Sequence, residues 1–179
     1  MLEQKIKMAS EISKILSNEH KNILELIKIL ERKSEDIERG GEIEKIFFVR
    51  AINFIRNYAD KFHHAKEEDI LFKEFSKCAE KGCVHCNPTE QMLHEHDLGR
   101  GFVKSMEEGI KENNKEKLIK GLRGYCQLLK EHIYKEDNIL YPMADEAIDK
   151  RTKATMLKKF EKIEKENKRE NRIYLKIIK

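Results

Sequence analysis

The chain has 179 residues, 39% of them charged, with no Trp, two Pro and eight Gly; this suits one domain with a real core, or one domain plus a helical extension, and favours long helices over a sheet. Its 37 basic and 33 acidic residues are well mixed and leave a net charge of +4, with no basic patch interleaved with aromatics, which argues against nucleic-acid binding. No apolar run reaches the length of a transmembrane helix, the opening Met1-Leu2-Glu3-Gln4-Lys5 lacks the apolar core of a signal peptide, and Cys78, Cys83, Cys86 and Cys126 are not spaced like a secreted disulfide framework. The chain reads as cytoplasmic.

The first predicted helix runs from about Glu3 to Ser34, with Ala9, Ile12, Leu16, His20, Ile23, Ile27 and Leu30 on one stripe. His20 sits in the middle of it. Gly40-Gly41 breaks the pattern, and a second helix follows from about Glu42 to Glu80 with Phe48, Ile52, Ile55, Ala59 and Phe62 on its core side. At 100° per residue, His63 lies roughly 50° from the centre of that stripe and His64 about 150° away. This places His63 and Glu67 inside, and His64 and Glu68 outside.

Gly82-Cys83-Val84-His85-Cys86-Asn87-Pro88 is a loop, and Asn87, Pro88 and Glu90 supply an N-cap, an N1 proline and an N3 carboxylate for a third helix. Its stripe is Met92, His96, Gly99, Val103, Met106 and Ile110. After a turn at Glu112-Asn113-Asn114, a fourth helix carries Leu118, Leu122, Tyr125, Leu129, His132, Glu136 and Ile139 on its buried side. Pro142 should kink or end it. From Asp149 to Lys179 the chain is a charged helix whose sparse apolar face, including Met156, Phe160 and Ile163, either packs along the bundle or mediates association with a partner or a second copy. The organisation is thus an all-α, up-down-up-down four-helix bundle over 1–148 and a C-terminal helical extension over 149–179.

One stretch is repeated. Residues 62–72 and 131–141 both contain His-x-x-Lys-Glu-acid-x-Ile-Leu-aromatic. Residues four apart share a helix face, so each copy presents an imidazole and a carboxylate to one point. A lone pair of this kind in a charged helix is ordinarily solvated; two copies with matching apolar flanks point to a metal site suited to iron, manganese or zinc. Burying four imidazoles and two carboxylates without a metal would require a hydrogen-bond partner for nearly every polar atom. A dinuclear centre satisfies them together, with His20, His63, His96 and His132 as terminal nitrogen ligands and Glu67 and Glu136 as carboxylates able to bridge.

Ferritin-like bundles place the carboxylate first, in Glu-x-x-His; here histidine leads and the spacing is four. Asn18-Glu19-His20, the His63–Glu68 run, Met92 to Arg100 and the His132–Asp137 run together resemble the hemerythrin-like family, or HHE cation-binding domain. The resemblance covers roughly residues 10 to 145. It implies a non-haem di-iron centre on His20, His63, Glu67, His96, His132 and Glu136, its two iron ions bridged by oxo or hydroxo and by carboxylates, and a dioxygen, peroxide or nitric oxide ligand. Oxygen-carrying hemerythrins have two histidines four apart on the third helix, whereas Met92 and Arg100 flank His96 here. The site is therefore expected to lack one imidazole and to be more open, or to be completed by water, hydroxide or Tyr125. In those carriers the last carboxylate is an Asp five after the histidine, which Asp137 would match; the parallel with His63 and Glu67 favours Glu136.

Cys83-x-x-Cys86, with Cys78 and His85 nearby, is either a zinc or redox pair or a reduced loop without a special role. Three functions remain open: a di-iron protein that binds or turns over a small oxidant, with peroxide-decomposing or oxidase-type activity among the options; an iron or redox sensor acting on a partner; or a metal-stabilised structural bundle.

Overall fold

The computed structural model describes residues 9–179, and the part of the first expected helix over 3–8 lies outside them. The first helix, α1, is Glu11–Glu38; it starts where the Ser10 hydroxyl accepts the Ser13 amide at 3.3 Å. It ends before Gly40, whose φ of 100° is left-handed, and Gly41, where a Cβ would stand 2.7 Å from the Asp36 carbonyl oxygen. Neither glycine tolerates a side chain at that turn.

A continuous helical run then covers 45–80, but its hydrogen-bonding pattern changes along the way. It comprises α2 (Lys45–Phe54), a π-helical stretch π1 (Ile55–His64), a second, π2 (Glu67–Leu71), and α3 (Phe72–Glu80). The helix α4 (Thr89–Glu112) begins one residue later than expected, with the Asn87 side chain accepting the Thr89 amide at 3.2 Å. Left-handed Asn113 (φ 52°) closes it, and the Asn114 side chain caps α5 (Lys115–Lys135) by accepting the Lys117 amide at 3.0 Å. Next come π3 (Glu136–Leu140) and α6 (Tyr141–Ala147). Pro142 does not end the helical run: it sits in the first turn of α6, where a missing N–H costs least. The last α-helix is α7 (Lys150–Tyr174), capped by Asp149 and followed by a short 3-10 helix, Leu175–Ile178.

Side-chain contacts fix how neighbours run. Asn22 reaches Tyr58 at 2.7 Å and Lys33 reaches Glu44 at 2.5 Å, so α1 and the 45–80 run are antiparallel. Arg56 meets Glu107 and Ser76 meets Thr89, which sets that run antiparallel to α4. The α4–α5 pair packs through glycines, Gly109 against the Leu118 backbone and Gly121 against Met106. Ser17 meets Asp137 at 2.5 Å while Cys126 lies by the Ile27 carbonyl, bringing α5 back beside α1. Helix α7 packs on α1 and the second run, burying Met156 and Phe160, while Ile173 stays exposed.

The core is in two apolar clusters with polar groups between them. One contains Ile23, Phe62, Val103 and Leu129; the other contains Leu16, Ile70, Met92 and Leu140. On each of the four long helical runs, a buried histidine lies between a residue of one cluster and a residue of the other. Among the described residues no helix is long and apolar enough to cross a membrane.

Candidate metal centre

The six side chains expected inside are all at most 2% exposed. His20 comes from α1, His63 from π1, Glu67 from π2, His96 from α4, His132 from α5 and Glu136 from π3. His20, His63, Glu67 and Glu136 bring donor atoms within 4.8 Å of one another, and so, separately, do His64, His96 and His132. The two groups adjoin through the carboxylates. Glu136 oxygens lie 3.2 Å from Nε2 of His20 and 3.2 Å from Nε2 of His132. One Glu67 oxygen lies 3.6 Å from His63 Nε2 and 3.7 Å from His96 Nε2.

His64 corrects the expectation that it faces outward. It is buried and stacks on His96 with ring centroids 3.7 Å apart. The cause is the backbone: an i→i+5 turn rotates each residue by less than the 100° assumed for an α-helix, so consecutive residues of π1 diverge less around the axis. His63 and His64 then share the inner face. The second helical run thus brings a fifth imidazole up to the cluster, where α4 carries Met92 and Arg100. Glu68 stays outside the centre but accepts from His96 Nδ1 at 2.7 Å.

That last contact is one of a set. His20 Nδ1 is held by Asp137 at 3.0 Å, His63 Nδ1 by Glu19 at 2.7 Å, and His132 Nδ1 by Glu95 at 2.9 Å. Each of these rings donates outward to a carboxylate, which leaves Nε2 as the inward electron-pair donor. The carboxylates are themselves held: Lys66 binds Glu19, Lys135 binds Glu95, and Arg100 reaches Glu68 at 2.7 Å. Sequence reading names Asp137 and Glu68 for other reasons, and none of these outer groups as the partner of a ring nitrogen. Glu19 and Glu95 each directly precede an inward histidine, and the lysine of each repeat copy lies one residue before the buried glutamate; that recurrence is the available signal.

Two tyrosines border the cluster. Tyr125 is buried, its hydroxyl has no partner, and it lines a cavity of about 30 Å³ with His64, His96, His132 and Val103. Tyr141 instead donates to Glu67 and stands 3.3 Å from His20 Nε2. At 100° per residue Tyr141 would fall about 180° from His132, on the far side of the helix. The intervening π3 turn brings it round.

Electrostatics follow the packing. Burial opposes charge on His20, but Asp137 and Glu136 outweigh it and hold the imidazole up at about 10. His132 is likewise pushed up to about 10, burial being overcome by Glu136 and Glu95. Burial drives His63 and His64 well below the ordinary imidazole range, helped by the cationic rings beside them. Burial and the neighbouring charge of Glu136 push Glu67 up, whereas Glu136, despite its own burial, is driven down by His132 and His20. Protons and a metal ion therefore compete for the same atoms.

Some of those atoms make no hydrogen bond. One oxygen of Glu67, both oxygens of Glu136 and Nδ1 of His64 are buried without a hydrogen bond. His96 Nε2 and His132 Nε2 point at each other across 2.9 Å. Converging lone pairs of this kind fit a cation between them. Residues 11–144 match the family model of the hemerythrin HHE cation binding domain. The chain belongs to this family. No curated protein and no solved structure matches the chain. Within this HHE domain the cysteine loop stands apart: Cys83 and Cys86 are exposed, Cys78 donates to the Ala147 carbonyl at 3.7 Å, and no metal-type group among the described residues includes them.

Proposed function

We propose that this HHE domain is an up-down-up-down four-helix bundle with α7 laid against it, holding two non-haem iron ions and binding or turning over a small oxidant such as dioxygen, peroxide or nitric oxide. The supporting observation is the arrangement of the histidines: four rings tied outward at Nδ1 to carboxylates, with Nε2 aimed at two glutamates, three of whose four oxygens make no hydrogen bond. In this reading His20 and His63 serve one ion, and His64, His96 and His132 the other. Glu67 and Glu136, each placed between the two groups, serve both. Imidazole mixed with carboxylate suits iron.

Bound iron would supply a Lewis-acidic coordination position and one-electron chemistry. The chain supplies the rest. The outer carboxylates keep each ring in one tautomer and orientation. The two apolar clusters close the site from both ends, and Tyr141 keeps Glu67 oriented by donating to it. The cavity of about 30 Å³ beside the three-imidazole group has room for one or two water-sized molecules. That size favours a diatomic or peroxide ligand over an organic substrate.

Metal analysis of anaerobically purified protein, followed by an optical spectrum on admitting air, tests the reading. About two iron ions per chain are expected, with a metal-free form that melts markedly lower because the ions bind only the native state. Protein that carries one ion or none, with the same melting curve after chelation, would exclude the dinuclear centre.

A further inference from the structure

The family match stops at residue 144, yet one contact from beyond it reaches the centre. Lys66 is wholly buried, with its ammonium 3.7 Å from the Phe62 ring centroid. It binds Glu19, which holds His63 Nδ1, and it also binds Glu164 of α7 at 2.5 Å. The opposite half has the same lysine at the same place in the repeat: Lys135 binds Glu95, which holds His132. No residue of α7 joins that second pair, and the Lys135 side chain is 27% exposed.

Resting on the di-iron reading above, we propose that Glu164 is a positioning residue through which docking of α7 tunes the His20–His63 ion position. A buried ammonium opposite a single carboxylate draws that carboxylate towards itself, at the expense of whatever else it holds. At Lys135 solvent shares the load. At Lys66 there is no solvent, and Glu164 supplies the second anion, which leaves Glu19 free to accept from His63 at 2.7 Å. The outer network on the His63 side also holds one more carboxylate than that on the His132 side. A more electron-rich imidazole binds iron more firmly and favours its oxidised form.

The test compares full-length wild type, Glu164→Gln, Glu164→Asp and Met156→Ala, the last loosening α7 at a buried residue outside the Lys66 network. Readouts are the rate at which a chelator extracts each iron ion, the reduction midpoint and the melting temperature of the metal-free protein. Glu164→Gln should speed extraction of one ion of the two by about tenfold, the lower end for groups supporting a ligand, and move one midpoint positive. Glu164→Asp should restore both, and Met156→Ala should lower the melting temperature without either effect. The proposal is overturned if Glu164→Gln matches wild type in extraction and midpoint, or if Met156→Ala reproduces its effects. Wild-type protein that binds no iron would instead remove the di-iron reading itself.

Discussion

The two halves of the molecule use one plan. Glu19-His20 on α1 with His63-x-x-Lys66-Glu67-Glu68 corresponds to Glu95-His96 on α4 with His132-x-x-Lys135-Glu136-Asp137. In each half the first glutamate holds the second histidine and the lysine, and the last acid reaches across to hold the other half's first histidine. The differences are few and local. His64 stands where the second half has Ile133, Phe72 where it has Tyr141, and Lys66 is buried under α7 where Lys135 meets water. A near-symmetric scaffold thus builds two similar donor sets, and three side chains make them unequal: one gains a third imidazole, the other a phenol and an extra anion.

The largest expected effect comes from exchanging the first of these differences. His64→Ala should cut iron content from two ions to about one, since it strips a nitrogen from the set that His96 and His132 complete. At the matching place, Ile133→Ala should keep both ions and lose about 2–5 kcal/mol of stability, as expected for a large-to-small change in a packed core. Metal analysis and denaturant melts check both. If His64→Ala kept both ions, the fifth imidazole would be a neighbour of the centre and not part of it.

The outer glutamates offer a second contrast, in acid. Glu95 is held down at about 2: burial would raise it, but His132, Lys135 and Gln91 outweigh that. Its contribution is therefore complete above the ordinary carboxylate value near 4.5 and lost as pH falls towards 2. Its counterpart Glu19 is shifted the other way, because burial outweighs Lys66, so it adds no loss over that interval. In acid titrations of the metal-free protein, Glu95→Gln should flatten the fall in stability between about pH 4.5 and 2. Glu19→Gln should leave that slope in place. Equal slopes for the two variants would show that the halves do not differ in this way.

Much of this plan was legible in the chain. The stripes on α1, α4 and α5 place His20, His96 and His132 inside, because those segments keep the α-helical period around these residues. The family resemblance, carried by four short motifs, agrees with the match over 11–144. What period analysis could not see is the change of helix type. It assumes 100° per residue, and it fails at His64 in π1 and, through π3, at Tyr141 and at Ile139, which the period puts on the buried side but which is 49% exposed while Leu140 is buried. Both π2 and π3 begin at the glutamate of a repeat copy, so the repeat marks where the period changes, although nothing in its composition says so. The outer carboxylates were hidden for another reason: an acid beside an inward histidine reads as surface charge until the partner helix is in place.

The smallest expected effect belongs to Tyr125, and the two tyrosines sharpen the comparison together. Tyr141 makes a hydrogen bond to a buried carboxylate, so Tyr141→Phe strands one Glu67 oxygen and should cost about 1–3 kcal/mol in the metal-free protein. The Tyr125 hydroxyl is buried with no partner, and burial pushes its ionisation far up, which keeps it a neutral phenol. Removing an unsatisfied buried hydroxyl relieves a desolvation cost without losing a bond, so Tyr125→Phe should leave stability unchanged or raise it by less than about 1 kcal/mol. It should also leave the visible bands of the iron form in place, because a neutral phenol that coordinates nothing carries no charge-transfer transition. What it should change is the affinity of a small anion such as azide, since the cavity loses a buried hydroxyl donor from a lining it shares with three imidazoles. A shifted visible band with unchanged azide affinity would make Tyr125 a ligand to the iron and not a lining of the cavity.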